Sequence, residues 1–241
     1  MTRAIVIGLL LVLLFAVVLA PASLVRRFLP PGGEVELLEP AGTLWDGGAQ
    51  LYLGGRDAGR LDWDWRPGAL LTGAFAYDLN LNGPDHALTG TVRFGFGAAE
   101  ATLNGRAAAE FVNPWLAPYD IRIGGGLDFE DAQVRIAYDY PESGVGSASG
   151  RLLWSGGAVR YVLSGRANAG TLPPLAANLG EGLETVVIPQ QGQTPLLHAQ
   201  IQPNGFVRIG VTKLLTRLMG NPWPGPQPDH EVVLEVEERL F

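Results

Sequence analysis

Cysteine is absent from the 241 residues. That excludes disulfides, Cys-ligated zinc and thiol catalysis. Lysine occurs once, at Lys213; Lys and Arg together number 17 against 24 Asp and Glu, a formal net charge of -7. No basic cluster exists, which argues against a nucleic-acid face and against a wide polybasic lipid-surface patch. The three histidines, His86, His198 and His230, have no second metal-type ligand at a standard short spacing. No serine lies in a G-x-S-x-G setting. Gly95-Phe96-Gly97 lacks the strand-to-helix context of a phosphate loop. No catalytic residue, cofactor or metal is predicted.

Acidic groupings are the one feature to weigh for chemistry: Asp62 and Asp64, then Asp128, Glu130 and Asp131. Asp62 and Asp64 share a strand face about 6.6 Å apart. A glycosidase pair or calcium ligands would need such carboxylates; a solvated acidic face needs nothing further, and it is the expectation. The Asp128 to Asp131 stretch lacks the 12-residue calcium-loop pattern.

What is present begins with an apolar run from Ala4 to Ala20, AIVIGLLLVLLFAVVLA, 17 residues without charge or polar side chain. It extends through Ala22 and Ser23 to Val25, since proline is tolerated near the end of a membrane helix. The extended run then covers the about 20 residues of a spanning helix. Arg3 precedes it; Arg26 and Arg27 follow. The expectation is a single uncleaved anchor. The alternatives are a signal peptide cut at the small-x-small string Ala20-Pro21-Ala22 and a buried core helix. Anchor and signal alike put the remainder across the membrane. The expected organisation is 1–27 cytoplasmic start and anchor, 28–33 linker, and 34–241 β-rich domain.

A chain without staples needs a core, and 47% hydrophobic residues can supply one. The 33 glycines and 18 prolines punctuate short alternating runs instead of forming tracts, the mark of many strands and tight turns. Leu61-Asp62-Trp63-Asp64-Trp65 alternates strictly, and Gly73 to Asn82 and Leu88 to Phe96 follow the same period. Gly54-Gly55 is a turn. Leu127 to Tyr140 is the longest β pattern; its phase changes between Asp131 and Val134, which suits a bulge or a turn near Glu130-Asp131. Asn113 to Pro118 reads as a connector and Gly124-Gly125-Gly126 as a flexible hinge. Leu175 to Leu179 reads as helical turns capped by Gly180, and Thr212 to Met219 as a helix. The fold class is all-β, mainly an antiparallel meander forming an elongated sheet or sandwich, after one N-terminal transmembrane helix. One or two short helices are expected near the C-terminus.

Leu44-Trp45-Asp46-Gly47-Gly48-Ala49 matches Leu153-Trp154-Ser155-Gly156-Gly157-Ala158 at five of six positions, the tryptophans 109 residues apart. Either the chain holds two similar halves, 34–140 and 141–241, or the string is a local recipe of aromatic strand end and glycine turn. Trp63 and Trp65 face the core side of their strand. Trp45, Trp115, Trp154 and Trp223 lie at strand ends or Pro-bounded loops, where they plug a β core or serve as interface anchors. An apolar sheet face can also take lipid acyl chains, or offer an edge for strand addition.

One ordered set of motifs has a family likeness. A short start and one anchor are followed by Gly42-Thr43-Leu44-Trp45-Asp46-Gly47. The Trp-containing strand Gly59 to Trp65 ends at Pro67. Leu70-Leu71-Thr72-Gly73 then precedes Asp78-Leu79-Asn80-Leu81-Asn82-Gly83. In this order they resemble protein N of the bacterial type II secretion system, over residues 1 to about 105, with Asn113-Pro114 and Gly150 to Gly165 fitting loosely. The resemblance implies a non-enzymatic, single-pass inner-membrane accessory of a machine exporting folded proteins across the outer membrane, with the bulk of the chain in the periplasm. Its implied partners are other secretion-system envelope proteins and membrane lipid, with possible self-association and no nucleic acid. The periplasmic part looks like the β-rich, lipid-facing type of large AsmA-like proteins, an analogy of fold. A periplasmic lipid-binding or lipid-transfer module with an apolar trough is the alternative function. A carbohydrate-active enzyme using the acidic pairs comes third.

Overall fold

The structure, a computed structural model, describes residues 15–27, 33–139, 146–163, 165–180, 182–202 and 205–239. Most of the expected anchor, 4–14, lies outside them. Among the described residues no helix is long and apolar enough to cross a membrane. The chain divides into two compact units, one ending at Pro84 and the other starting at Asp85.

In the first unit, residues 15–18 are helical and Ala22–Arg27 forms a 3-10 turn. Strands β1 (Val35–Gly42), β2 (Asp46–Leu53), β3 (Arg56–Trp65) and β4 (Phe75–Gly83) follow, paired antiparallel in chain order. Leu53 pairs with Arg56 across Gly54 and Gly55, whose φ values are 55° and 74°. Two consecutive positive φ angles make a type I′ hairpin, whose twist matches the flanking strands and which glycine enters without a Cβ penalty. A second 3-10 turn, Pro67–Thr72, ends at Gly73 and links β3 to β4. The core of this unit is built mostly of small side chains: Ala20, Ala22, Ala49, Ala58, Ala74 and Ala76 are buried, together with Leu37, Leu51 and Trp63.

The second unit carries β5 (His86–Phe94), β6 (Ala98–Ala108), helix α1 (Ala109–Leu116), β7 (Ile121–Ile123), β8 (Gly126–Ala137) and β9 (Gly146–Trp154). It continues through β10 (Gly157–Leu163), β11 (Arg166–Leu172), β12 (Leu175–Gly180), β13 (Glu184–Pro189), β14 (Leu197–Ile201), β15 (Phe206–Thr212), helix α2 (Lys213–Leu218) and β16 (Val232–Arg239). Its large sheet runs β5-β6-β8-β9-β12-β13-β14-β15-β16. The meander is interrupted twice. Between β6 and β8 the chain leaves through α1 and β7; between β9 and β12 it leaves through β10 and β11. These two excursions pair as a second sheet, β11-β10-β7. Leu127 and Trp154 from the large sheet meet Val159 and Leu172 from the small one in a single buried cluster. The all-β reading therefore holds, and α2 is the C-terminal helix the sequence predicted.

Three local expectations need correction. Asn113–Pro118 is not a connector: α1 runs through Pro114. Phe111 and Trp115, one helical turn apart, meet edge to face at 5.2 Å. Asn113 acts as a strand substitute, donating Nδ2–H to the Ile123 carbonyl and accepting the Ile123 N–H, both at 2.9 Å. Packing and paired side-chain bonds outweigh the donor missing at proline. Leu175–Leu179 is not helical; it is β12, bonded on both sides to β9 and β13. A ladder to β13 along its whole length and one to β9 over Leu175–Asn178 satisfy its backbone, so tertiary pairing overrides the helix propensity of Leu-Ala-Ala. Gly124-Gly125-Gly126 is not a hinge. Gly124 N–H donates to Ala158 O, Gly125 O accepts from Ala109 N–H, and Gly126 O accepts from Ser155 N–H, at 2.8 to 2.9 Å. Of the two readings of the phase change in the longest strand, the bulge is the one present and the turn is not: β8 is continuous and shifts register against β9 between Glu130 and Gln133, with Asp131 at φ 46°.

Candidate functional site

The six tryptophans fall into three environments. Trp63 and Trp154 are buried, at 7% and 8% exposure. Each indole N–H finds a carbonyl, Thr43 O at 3.2 Å and Gly124 O at 2.8 Å, as buried indoles require. Trp45 and Trp65 are half-buried with ring centroids 4.7 Å apart. Trp115 and Trp223 are 45% and 39% exposed. The two matching strings also part company. Trp45-Asp46-Gly47 turns the chain from β1 into its hairpin partner β2, whereas Trp154-Ser155-Gly156 carries it from one sheet to the other. Gly156 has φ 78°, and a Cβ there would lie 2.8 Å from backbone atoms of Pro173 and Pro174, so this crossing requires glycine.

Trp45 also reaches back to the apolar run. Its indole N–H donates to Val17 O at 2.8 Å, and Leu44 N–H donates to Ala20 O at 2.8 Å. Pro21 forms a bridge with Thr43, and Ala20 and Ala22 are buried. The Thr43–Asp46 turn that makes these contacts is itself closed by the Thr43 hydroxyl, which accepts from Trp45 and Asp46 N–H and donates to Asp46 O. Sequence reading placed Trp45 at a strand end but missed this docking. A missing donor at Pro21 and a loop tryptophan are its only sequence signals.

Between the two sheets of the second unit lies an apolar cavity of about 240 Å³. Ile123 and Val159 of the small sheet and Leu127, Leu152, Trp154 and Val187 of the large one line it. Its lining is almost wholly apolar, the chemistry that takes an apolar guest. The alternation of these strands marks their inner faces, but no sequence signal marks where the excursions leave a gap.

The carboxylates do not form a reaction centre. Asp62 pairs with Arg60 at 2.9 Å on an open surface. Asp64 stands opposite Asp46 and Asp78 in adjacent strands, and Asp78 is held by Arg66. Asp128 and Glu130 pair with Arg106 and Arg151. Asp131 lies at the bulge, its N–H donating to Asn104 Oδ1. Asp57 accepts from Gly59 N–H at 2.8 Å and from Gln50 Nε2–H; these bonds, the backbone one foremost, hold its carboxyl below the usual value. Burial pushes the Tyr77 phenol up. The histidines are dispersed: His86 opens β5 and stacks on Phe111 with centroids 4.0 Å apart, His198 lies in β14, and His230 precedes β16. Among the described residues no group of three or more metal-ligating side chains comes together.

In the first unit the notable feature is the proline-interrupted segment bonded to the first hairpin; in the second it is the apolar cavity between the sheets. No curated protein and no solved structure matches the chain. The family model described as type II secretion system protein N matches residues 33–217, well past the region in which the sequence motifs were found. On that match, the chain belongs to the type II secretion system protein N family.

Proposed function

We propose that this protein is a non-enzymatic, single-pass inner-membrane accessory of the type II secretion system, its β-rich body in the periplasm, supporting export of folded proteins across the outer membrane. The family match over residues 33–217 carries the reading. The docked segment supports the anchor. Phe15, Val17, Val18 and Leu19 expose apolar side chains, which a lipid environment would shelter. Ala20 and Ala22, the two small residues of the small-x-small string, belong to the core of the first unit, so cleavage after that string would remove part of the core. The exposed Trp115 and Trp223 are the candidate contacts for other envelope components.

The deciding experiment is an in-frame deletion. Secreted proteins accumulate in the periplasm while membrane lipid composition stays normal; secretion at wild-type level overturns the reading. N-terminal sequencing of membrane-extracted protein tests the anchor, with residues before Ala20 expected. A second reading, a lipid-binding module, is favoured by the apolar cavity. It predicts acyl lipid in the purified full-length protein by mass spectrometry, reduced by Ala177→Leu, since Ala177 lines that cavity.

A further inference from the structure

The outer side of the small sheet carries a second concavity, of about 460 Å³, with a different chemistry. Arg122 of β7 and Arg160 of β10 stand directly opposite each other in the antiparallel ladder. Both line the concavity and both are exposed. Opposed Cβ atoms lie about 4.5–5.5 Å apart, and like charges so placed destabilise a sheet. Eight other arginines are ion-paired. The guanidiniums of Arg122 and Arg160 have neither an ion pair nor a hydrogen bond among the described residues. Asp120 also lines the concavity and pairs with neither, so two guanidiniums face one carboxylate in a chain that is acidic as a whole. Ala117, Ala167 and Ala169 keep the concavity open beside them.

We propose that the concavity on β7 and β10 binds a phosphate group, clamped by the Arg122 and Arg160 guanidiniums from adjacent strands, carried by a membrane phospholipid or as the free ion. A carboxylate is satisfied by one bidentate guanidinium. Phosphate presents further oxygens to a second fork, and each fork is rigid and always charged. Bound anion would also cancel the repulsion between the two strands. This inference stands apart from the secretion reading, which survives its failure.

The test uses full-length protein in a phosphate-free nonionic detergent, followed by calorimetric titration and thermal melting at matched ionic strength. The probes are sodium phosphate, micelles doped with phosphatidylglycerol, and micelles doped with diacylglycerol, which lacks the phosphate. Phosphate, phosphatidylglycerol or both raise the melting temperature of the wild type, and Arg122→Gln/Arg160→Gln binds about tenfold or more weakly. A response to phosphatidylglycerol alone identifies the lipid headgroup as the source; a response to both identifies the phosphate group itself as sufficient. Arg166→Gln, on β11 of the same sheet but outside the concavity, keeps the wild-type response and controls for folding. Single-site Arg160→Gln melts without ligand at or above the wild-type temperature, because it removes the like-charge pair. No response to either phosphate probe overturns the proposal. So does an equal response from the double variant, or an equal response to diacylglycerol.

Discussion

The indole of Trp45 supplies the hydrogen bond that Pro21 denies to Val17. In a helix the carbonyl of residue 17 accepts from the N–H of residue 21, and proline has none. Val17 O instead accepts from Ala20 N–H at 3.2 Å and from Trp45 Nε1–H at 2.8 Å. A break in the apolar run thereby becomes the point at which the first hairpin attaches.

Trp45→Phe keeps an aromatic ring against Trp65 and deletes the donor. It lowers stability by about 1 kcal/mol, the ordinary worth of a single hydrogen bond. Chemical denaturation followed by circular dichroism measures this. An unchanged midpoint would show that water serves Val17 equally well.

Trp63→Ala and Trp154→Ala each cost about 3–5 kcal/mol, since each empties a large buried site. Trp223→Ala changes stability by no more than about 0.5 kcal/mol. Urea unfolding of the three variants ranks them. Equal losses would mean that exposure does not distinguish these tryptophans.

Asp57 gives stability a dependence on acid. Its folded-state value is depressed below 3.8 by the Gly59 N–H first and Gln50 second. Its contribution is therefore complete above 3.8 and is lost as pH falls through the lower folded value. Asp57→Asn lacks that slope. Melting curves of both proteins from about pH 5 down to about pH 2 compare them; parallel curves would remove Asp57 from the account.

Asp64 has Asp46 and Asp78 as cross-strand neighbours. Asp64→Asn relieves the repulsion and stabilises the first unit by about 0.2–0.5 kcal/mol at low ionic strength. Added salt shrinks the gain, because these charges are exposed and screened. A loss of stability would assign Asp64 an attractive partner.

The alternation of Leu61 to Trp65 and the glycine pair at 54–55 were enough to place a strand and its hairpin, because side-chain period and turn φ are local properties. The irregularity near Asp131 was visible as a phase change along one strand, but its being a bulge and not a turn was decided by the pairing with β9. The apolar run and the ordered motifs around Trp45 likewise point to the family by themselves. What sequence alone decided is thus the class of the fold and the family; strand faces it decided only in part, since Phe75 and Phe94 of the expected apolar faces are exposed while Ala76 is buried.

Tertiary structure decided the rest, because it depends on what each strand meets. Leu175–Gly180 is a strand only because β9 and β13 flank it, and α1 runs through Pro114 only because Phe111, Trp115 and Asn113 find their partners. Two excursions from the meander pair with each other, and that pairing creates the apolar cavity on one side and sets Arg122 opposite Arg160 on the other. Residues 38 apart in sequence acquire a shared chemistry only when two ladders set their register, and register between distant strands is not a local property of either.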